Sequence, residues 1–128
     1  MNDKIKITPF EDGLVVSISG DLDSLRVMTY RSLIVSEMEN NNAKAILWDF
    51  TNLSYLDSSG IGLILGRYNE IRRLGGICGI MGLNASSRKI IQVTGLFSIM
   101  EEYRSLGAFK KKVRIALWTI WNFDLMLL

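Results

Sequence analysis

Two adjacent serines stand between an acid and a glycine in the order Asp57-Ser58-Ser59-Gly60. An apolar run precedes this serine turn at residues 45–50, and a glycine-rich apolar segment follows it at residues 61–66. The pattern predicts a buried strand before the turn and a helix that begins near Ser59. A hydroxyl at the start of a helix can cap the helix, attack a substrate or accept a phosphate.

Catalysis by either serine would require a positioned base. The 128-residue chain has no histidine, the residue that most often serves as that base. The turn also lacks the Gly-x-Ser-x-Gly pattern of hydrolase elbows, and neither serine is followed by a lysine three residues later. We therefore expect a protein that is not an enzyme. The local sequence leaves two roles open, a helix cap and a phosphoacceptor.

Glycines at positions 60, 62 and 66 partly match the fingerprint of dinucleotide-binding proteins, but the third glycine comes one residue late. These glycines also fall inside the predicted helix rather than in a tight strand-to-helix turn, and no Gly-Lys-Ser/Thr triplet follows. We expect no nucleotide cofactor. Gly62 and Gly66 lie four residues apart, so we interpret them as one helical face that packs closely against the sheet or a partner.

Composition predicts one globular domain, with 48% apolar and 22% charged residues. The single cysteine, Cys78, has no partner for a disulfide, and without histidine we expect no metal site. These features predict a cytoplasmic protein. Residues 107–128 carry four basic residues and one acid, whereas the first 106 residues carry eleven and twelve. Because that body is nearly neutral, we expect no direct binding to nucleic acid.

The order of predicted elements indicates an α/β fold. We expect strands at residues 4–8, 14–19, 44–50, 77–81 and, at the sheet edge, 97–100. We expect helices at residues 25–40, capped by Asp23 or Ser24, and at residues 59–74, 85–93 and from about Ser105 onward. The fold prediction is a mixed β-sheet opened by a β-hairpin, with α-helices packed against it.

The C-terminal segment is basic and then apolar, and residues 113–128 hold two of the three tryptophans. This apolar stretch is shorter than the roughly 20 residues that a membrane-spanning helix needs. Three interpretations remain open for it: a helix packed on the body, a disordered or atypical terminus, or a peripheral contact with a membrane or another copy. The lysines at positions 110–112 would assist such a contact.

Residues 49–68, which contain the serine turn, closely resemble the signature of bacterial anti-sigma factor antagonists, small proteins of the STAS-domain family. Residues 69–76 look most like the sporulation-type members that act on the sigma-F system. Gly20-Asp21-Leu22-Asp23 and Val93-Thr94-Gly95-Leu96-Phe97 are further matches. The resemblance extends to about residue 106, so we divide the chain into a STAS domain at residues 1–106 and a C-terminal helix or tail at residues 107–128.

The resemblance implies partner switching. In that family the unmodified antagonist binds an anti-sigma factor that is also a serine kinase, and the sigma factor is thereby released. Phosphorylation of the serine that corresponds to Ser58 ends this binding, and a metal-dependent phosphatase restores it. The residues we expect to bind the partner are Asp23, Asp57, Ser58, Ser59, Gly60, Gly62 and Arg67. The alternative is a STAS interaction module of a stress-response or membrane-associated complex.

Overall fold

The structure, a computed structural model, describes residues 4–127, with side chains through residue 122 and that of Met126. Within this range there are seven strands and four α-helices. The strands are β1 (Ile5–Phe10), β2 (Gly13–Ile18), β3 (Gly20–Leu22), β4 (Ala45–Asp49), β5 (Leu53–Leu56), β6 (Ile77–Met81) and β7 (Glu101–Tyr103). The helices are α1 (Val27–Asn40), α2 (Ser58–Arg73), α3 (Ala85–Gln92) and α4 (Leu106–Leu127).

The main sheet has five strands in the order β1-β2-β4-β6-β7. Strands β1 and β2 form an antiparallel hairpin, in which Ile5 pairs with Ile18. The other neighbours, β2–β4, β4–β6 and β6–β7, are parallel. The predicted mixed sheet that opens with a hairpin is therefore confirmed. Strand β4 lies at the centre, as its continuous apolar run predicts.

Alternate residues of β4 face two different hydrophobic clusters. Ile46 and Trp48 belong to the larger cluster, which also contains the buried side chains of α1, α2 and α3. Ala45 and Leu47 belong to the smaller cluster together with residues of α4. Both faces of the sheet are therefore covered, three helices contributing to one core and a single helix to the other.

A second, two-stranded sheet pairs β3 with β5 in parallel. These strands have only three and four residues and were not among the predicted elements. The Gly20 N–H donates to the Asn52 carbonyl oxygen at 2.8 Å and fixes one end of the pair. This small sheet matters for the site because β3 leads to Asp23 and β5 leads to the serine turn.

Helix α1 begins at Val27, two residues later than predicted, and neither Asp23 nor Ser24 is its N-cap. Arg26 occupies the cap position, and its side chain makes no capping hydrogen bond. Residues 24–26 instead form a turn, because the Asp23 carboxylate accepts a hydrogen bond from the Leu25 N–H at 3.2 Å. The prediction of a side-chain cap on α1 was wrong.

The edge strand predicted at residues 97–100 was also wrong. Residues Leu96–Ser98 form a 3₁₀ turn, preceded by Gly95 in the left-handed region at φ 80°. The N–H groups of Ile99 and Met100 both donate to the Leu96 carbonyl oxygen, which keeps this segment out of a β-ladder. The edge strand is β7, which begins at Glu101.

Helix α4 begins at Leu106, close to the predicted start, and the Ser105 hydroxyl accepts a hydrogen bond from the Ala108 N–H. Phe109 and Val113, in the first part of the helix, are buried against the sheet. Farther along, Trp118 and Trp121 are each 65% exposed. Among the helices of residues 4–127, none has the length and apolar character needed to cross a membrane.

Candidate functional site

The serine turn lies where β5 ends and α2 begins, and Asp57 is the N-cap of that helix. Its backbone is extended (φ −107°, ψ −174°), and its Oδ1 accepts a hydrogen bond from the Gly60 N–H at 3.1 Å. Asp57 thereby satisfies one of the backbone donors that have no partner within the helix. Its negative charge also lies at the positive end of the helix dipole.

Ser58 is the first residue of α2, one residue earlier than predicted, and its side chain is exposed. Within residues 4–127 its hydroxyl forms no hydrogen bond, because Asp57 performs the capping. The neighbouring Ser59 is less accessible, because it is half-buried. Ser58 therefore presents a free hydroxyl to solvent at a helix N-terminus, where backbone N–H groups favour an added anion.

The parallel pairing of β3 with β5 brings a second acid close to the serine turn. Leu22 pairs with Leu56, and the Asp57 N–H donates to the Leu22 carbonyl oxygen at 3.4 Å. Asp23 and Asp57 therefore follow directly from the carboxyl ends of adjacent strands, 34 positions apart in the chain. The Asp23 Oδ2 accepts a hydrogen bond from Arg26 Nη1 at 2.9 Å, which raises the pKa of the Arg26 guanidinium.

Gly60 is buried at the point where α2 crosses the end of β3. A Cβ atom at this position would lie 2.5 Å from the Leu22 carbonyl oxygen and 2.5 Å from Leu56 Cδ1. Both distances are shorter than any real van der Waals contact, so only glycine fits without movement of the backbone. Gly60 holds the start of α2 close to the small sheet and so fixes the position of Ser58.

Gly62 and Gly66 do not pack against the sheet. A Cβ atom at either position would have no atom within 4 Å outside the helix backbone. The interpretation of close packing against the sheet was therefore wrong, because the buried stripe of α2 is formed by Leu63, Ile64 and Ile71 instead. The two glycines leave a low, open strip on the solvent side of the helix.

A groove of about 310 Å³ lies between α1 and α2, next to the serine turn. We call it the α1–α2 groove, and its lining residues are Val27, Met28, Arg31, Ser59, Gly62, Leu63 and Arg67. Three of the predicted site residues, Ser59, Gly62 and Arg67, therefore share one groove.

Arg67 is only 5% exposed in this groove. Its Nε donates to Glu70 Oε1 at 2.6 Å, and the two side chains also form an ion pair. Because its guanidinium is already paired with Glu70, Arg67 is part of the groove wall rather than a free cation on the surface.

Two large apolar side chains near the turn, Leu25 and Met28, were not among the predicted site residues. Leu25 is 84% exposed and Met28 is 78% exposed, and Met28 lines the α1–α2 groove. A signal was present in the sequence. The buried residues of α1, Tyr30, Ile34 and Met38, recur every four positions, and neither Leu25 nor Met28 falls on that stripe.

The structure brings together no cluster of metal ligands within residues 4–127. Cys78 lies in β6, away from the serine turn, and burial raises the pKa of its thiol to about 12. Such a thiol stays protonated at neutral pH and is a poor nucleophile. Ser58, the more exposed of the two serines, thus offers the most accessible hydroxyl of the turn.

The STAS domain model matches residues 4–109, which include all of the elements around the serine turn. The anti-sigma F factor antagonist of Paenibacillus polymyxa is 32% identical over 103 residues, covering 80% of this chain and 88% of the relative. The antagonist of the same name from Lysinibacillus sphaericus is 32% identical over 83 residues, covering 65% of this chain and 71% of the relative. The anti-sigma-B factor antagonist of Bacillus subtilis is 25% identical over 101 residues, covering 79% and 91%.

Solved structures agree with this similarity. The unphosphorylated form of the anti-sigma factor antagonist SpoIIAA matches with a TM-score of 0.70 at 28% identity, covering 84% of this chain and 94% of SpoIIAA. The phosphorylated form from Bacillus matches with a TM-score of 0.65 at the same identity, covering 84% and 97%. From the sequence match and the shared fold, we conclude that this chain belongs to the STAS-domain family.

Proposed function

We propose that this protein is an anti-sigma factor antagonist controlled by phosphorylation of Ser58. In this proposal the unphosphorylated chain binds an anti-sigma factor, which then releases its sigma factor. The observation that carries the proposal is the free, exposed hydroxyl of Ser58 beside a helix cap made by Asp57. The names of the similar relatives, antagonists of anti-sigma F and anti-sigma B factors, support the same function.

The geometry of the turn suits a covalent mark that leaves the fold intact. The Ser58 hydroxyl forms no hydrogen bond within the described residues, so a phosphate on it would break none. The helix N-terminus favours the added charge of about −1.5 to −2. Gly60 and Asp57 keep their contacts with the small sheet, so the turn itself would not need to rearrange.

The effect of the phosphate would fall on the docked partner. Ser58 directly follows Asp57, and Asp23 follows the paired strand, so two acidic residues already lie at this end of the small sheet. Adding a dianion there concentrates negative charge at one point of the surface. A partner that fits closely over this point would lose affinity through charge repulsion and added bulk.

The surface around the turn is suited to binding a protein. Leu25 and Met28 expose large apolar side chains, and the α1–α2 groove continues from them past Ser59 to the open strip at Gly62. Exposed apolar groups with a polar rim are typical of protein-binding sites. Asp23 and Asp57 supply the rim, and Arg67 supports the wall of the groove.

The proposed partners are an anti-sigma factor that is also a serine kinase and a metal-dependent phosphatase that removes the phosphate. The sigma factor is affected indirectly, and nucleic acid is not bound directly. The protein itself would act as a binding regulator without catalysis, in the cytoplasm. We further propose that residues 1–106 carry the switch and that residues 107–128 form a C-terminal helix, packed on the sheet through Phe109 and Val113, that takes no part in it.

The test is phosphorylation by the anti-sigma F factor of Paenibacillus polymyxa, whose antagonist is 32% identical to this chain. The purified full chain is incubated with that protein and ATP, and the phosphate is located by mass spectrometry. We expect one phosphate, on Ser58. Phosphate on Ser59 alone would overturn the site assignment. The absence of both complex formation and phosphate transfer would count against the function.

A second candidate is a STAS interaction module in a membrane-associated complex. The observation that favours it is the exposed apolar surface in the second half of α4, where Trp118 and Trp121 face solvent. The two candidates differ in what the serine turn does. A module of this kind would bind its partner equally well whether position 58 is Ser, Ala or Asp.

A further inference from the structure

The second half of α4 carries large apolar side chains that the sheet does not cover. Ile115 is 55% exposed, Trp118 and Trp121 are each 65% exposed, and Met126 is 84% exposed. Large apolar residues of this size are mostly buried in a domain core, as Trp48 is in this protein. An exposed group of large apolar side chains is typical of a surface that binds another molecule.

These side chains lie on the face of the helix opposite to its buried stripe. Residues three or four positions apart share a helical face, which places Ile115, Trp118 and Trp121 on one side. Phe109 and Val113, four positions apart, define the other side, which packs on β2 and β4. We call Ile115, Trp118 and Trp121 the outer tryptophan face.

Basic side chains stand one turn before the outer tryptophan face on the same side. Lys111 precedes Ile115 by four positions, and Arg114 precedes Trp118 by four. Lys111 and Arg114 are exposed, and neither forms an ion pair with any side chain that the structure describes. Lys110 differs, because its Nζ lies 3.7 Å from Glu11 Oε1 and its charge faces the body.

We propose that the outer tryptophan face binds an anionic lipid surface, with α4 lying in the plane of the interface. Tryptophan prefers the boundary between headgroups and acyl chains, and unpaired cations beside it attract anionic headgroups. Helix α4 does not combine the length and the apolar character needed to cross a bilayer, but an amphipathic helix of this kind can lie on one.

Charge favours this occupant over a second copy of the chain. The first 106 residues carry eleven basic and twelve acidic groups, so the body has no large excess of negative charge to offer to Lys111 and Arg114. A second copy would also bring the same cations to the contact. A membrane with anionic lipids complements both the cations and the tryptophans.

The test uses the full chain with two kinds of vesicle, pure phosphatidylcholine and phosphatidylcholine mixed with about one-third phosphatidylglycerol. Binding is measured by flotation, and insertion by the tryptophan emission. We expect binding to the anionic vesicles only, with a blue shift from Trp118 and Trp121, because Trp48 is already buried. Equal binding to both vesicles, or binding to neither, would overturn the proposal.

Two double variants identify the residues. Lys111→Glu with Arg114→Glu should reduce the affinity for anionic vesicles by about a hundredfold, since each cation near the surface contributes about 1 kcal/mol and reversal adds repulsion. Lys89→Glu with Arg104→Glu makes the same change in net charge at exposed positions elsewhere and should leave binding nearly intact. Equal losses in both variants would show that only net charge matters and would contradict the proposal.

Trp118→Ser with Trp121→Ser should abolish the binding while the circular dichroism of the domain stays unchanged. Light scattering on the unmodified chain tests the alternative occupant, a second copy of the chain. A dimer that forms without vesicles and disappears in this tryptophan variant would assign the outer tryptophan face to a second copy and would overturn the membrane proposal. Because these measurements involve no kinase, their failure would leave the function proposed for Ser58 untouched.

Discussion

The Asp57 carboxylate accepts a hydrogen bond from the Gly60 N–H at 3.1 Å. This contact caps α2 with an acid, and so the next residue, Ser58, keeps a hydroxyl that is not needed for the fold. Capping and modification are thereby assigned to different side chains. A serine that both capped the helix and accepted phosphate would exchange its capping hydroxyl for a bulkier phosphate each time it was modified.

Asp57→Ala should destabilise the domain by about 0.5–2 kcal/mol, because the cap of α2 is lost. Asp57→Asn keeps an acceptor oxygen and should retain most of the stability. Urea unfolding followed by circular dichroism measures both. Equal stability of Asp57→Ala and the unmodified chain would show that this hydrogen bond contributes little.

Ser58→Ala should bind the anti-sigma factor about as tightly as the unmodified chain, because the hydroxyl has no contact that the fold requires. Ser58→Asp should bind at least about tenfold more weakly, because a third carboxylate then joins Asp57 and Asp23. Titration calorimetry measures both affinities. Ser86→Asp, at an exposed serine in the first turn of α3, is the matched control, and an equal loss in that variant would indicate general charge repulsion rather than a specific site.

Gly60→Ala should cost about 1–3 kcal/mol of stability, because the new methyl group would overlap the Leu22 carbonyl oxygen. Gly66→Ala makes the same chemical change in open space on the same helix. It should raise stability by up to about 1 kcal/mol, since alanine favours the helix. Thermal unfolding measures the stability of both variants. A Gly60→Ala protein as stable as the unmodified chain would contradict the close approach of α2 to β3.

Gly62→Ala separates stability from partner binding. It should stabilise the helix as Gly66→Ala does, but its methyl group would project into the α1–α2 groove. We expect weaker binding of the anti-sigma factor with Gly62→Ala and unchanged binding with Gly66→Ala, both measured by calorimetry. Unchanged binding in both variants would exclude this part of the groove from the contact.

The buried thiol of Cys78 predicts a loss of stability in alkali. Its pKa is about 12 in the folded protein against 9.0 for the unperturbed thiol, so only the unfolded chain ionises between these values. The free energy of unfolding should therefore fall as pH rises from about 9 to 12, by at most about 1.4 kcal/mol per pH unit from this group. Cys78→Ala should lack this contribution, and the difference between the two proteins in urea unfolding at several pH values measures it.

Features that depend on neighbours in the chain could be predicted from the sequence. The start of α2 at the serine turn, the central strand β4 and the opening hairpin all follow from local patterns of apolar, turn and capping residues. The small β3–β5 sheet could not, because its strands are very short and each is stabilised by a partner about 30 residues away. The packing of Gly60 against Leu22 could not be predicted for the same reason, because the two residues are far apart in the sequence.

The errors have physical causes of the same kind. Gly62 and Gly66 share a helical face, but spacing alone does not say whether that face turns to the sheet or to solvent. The segment at residues 97–100 has strand-like composition, but Gly95 at positive φ begins a 3₁₀ turn there. Leu25 was assigned to α1, although the Asp23 carboxylate holds it in the preceding turn.

The parallel pairing of β3 with β5 has a consequence for how Ser58 would be recognised. Asp23 and the serine turn come from distant parts of the chain and lie at the same end of the small sheet only when both strands are in place. A short linear peptide copied from residues 50–66 would contain the serine but neither Asp23 nor the α1 side of the groove. An enzyme that reads this surface would therefore distinguish native antagonist from nascent or denatured chains.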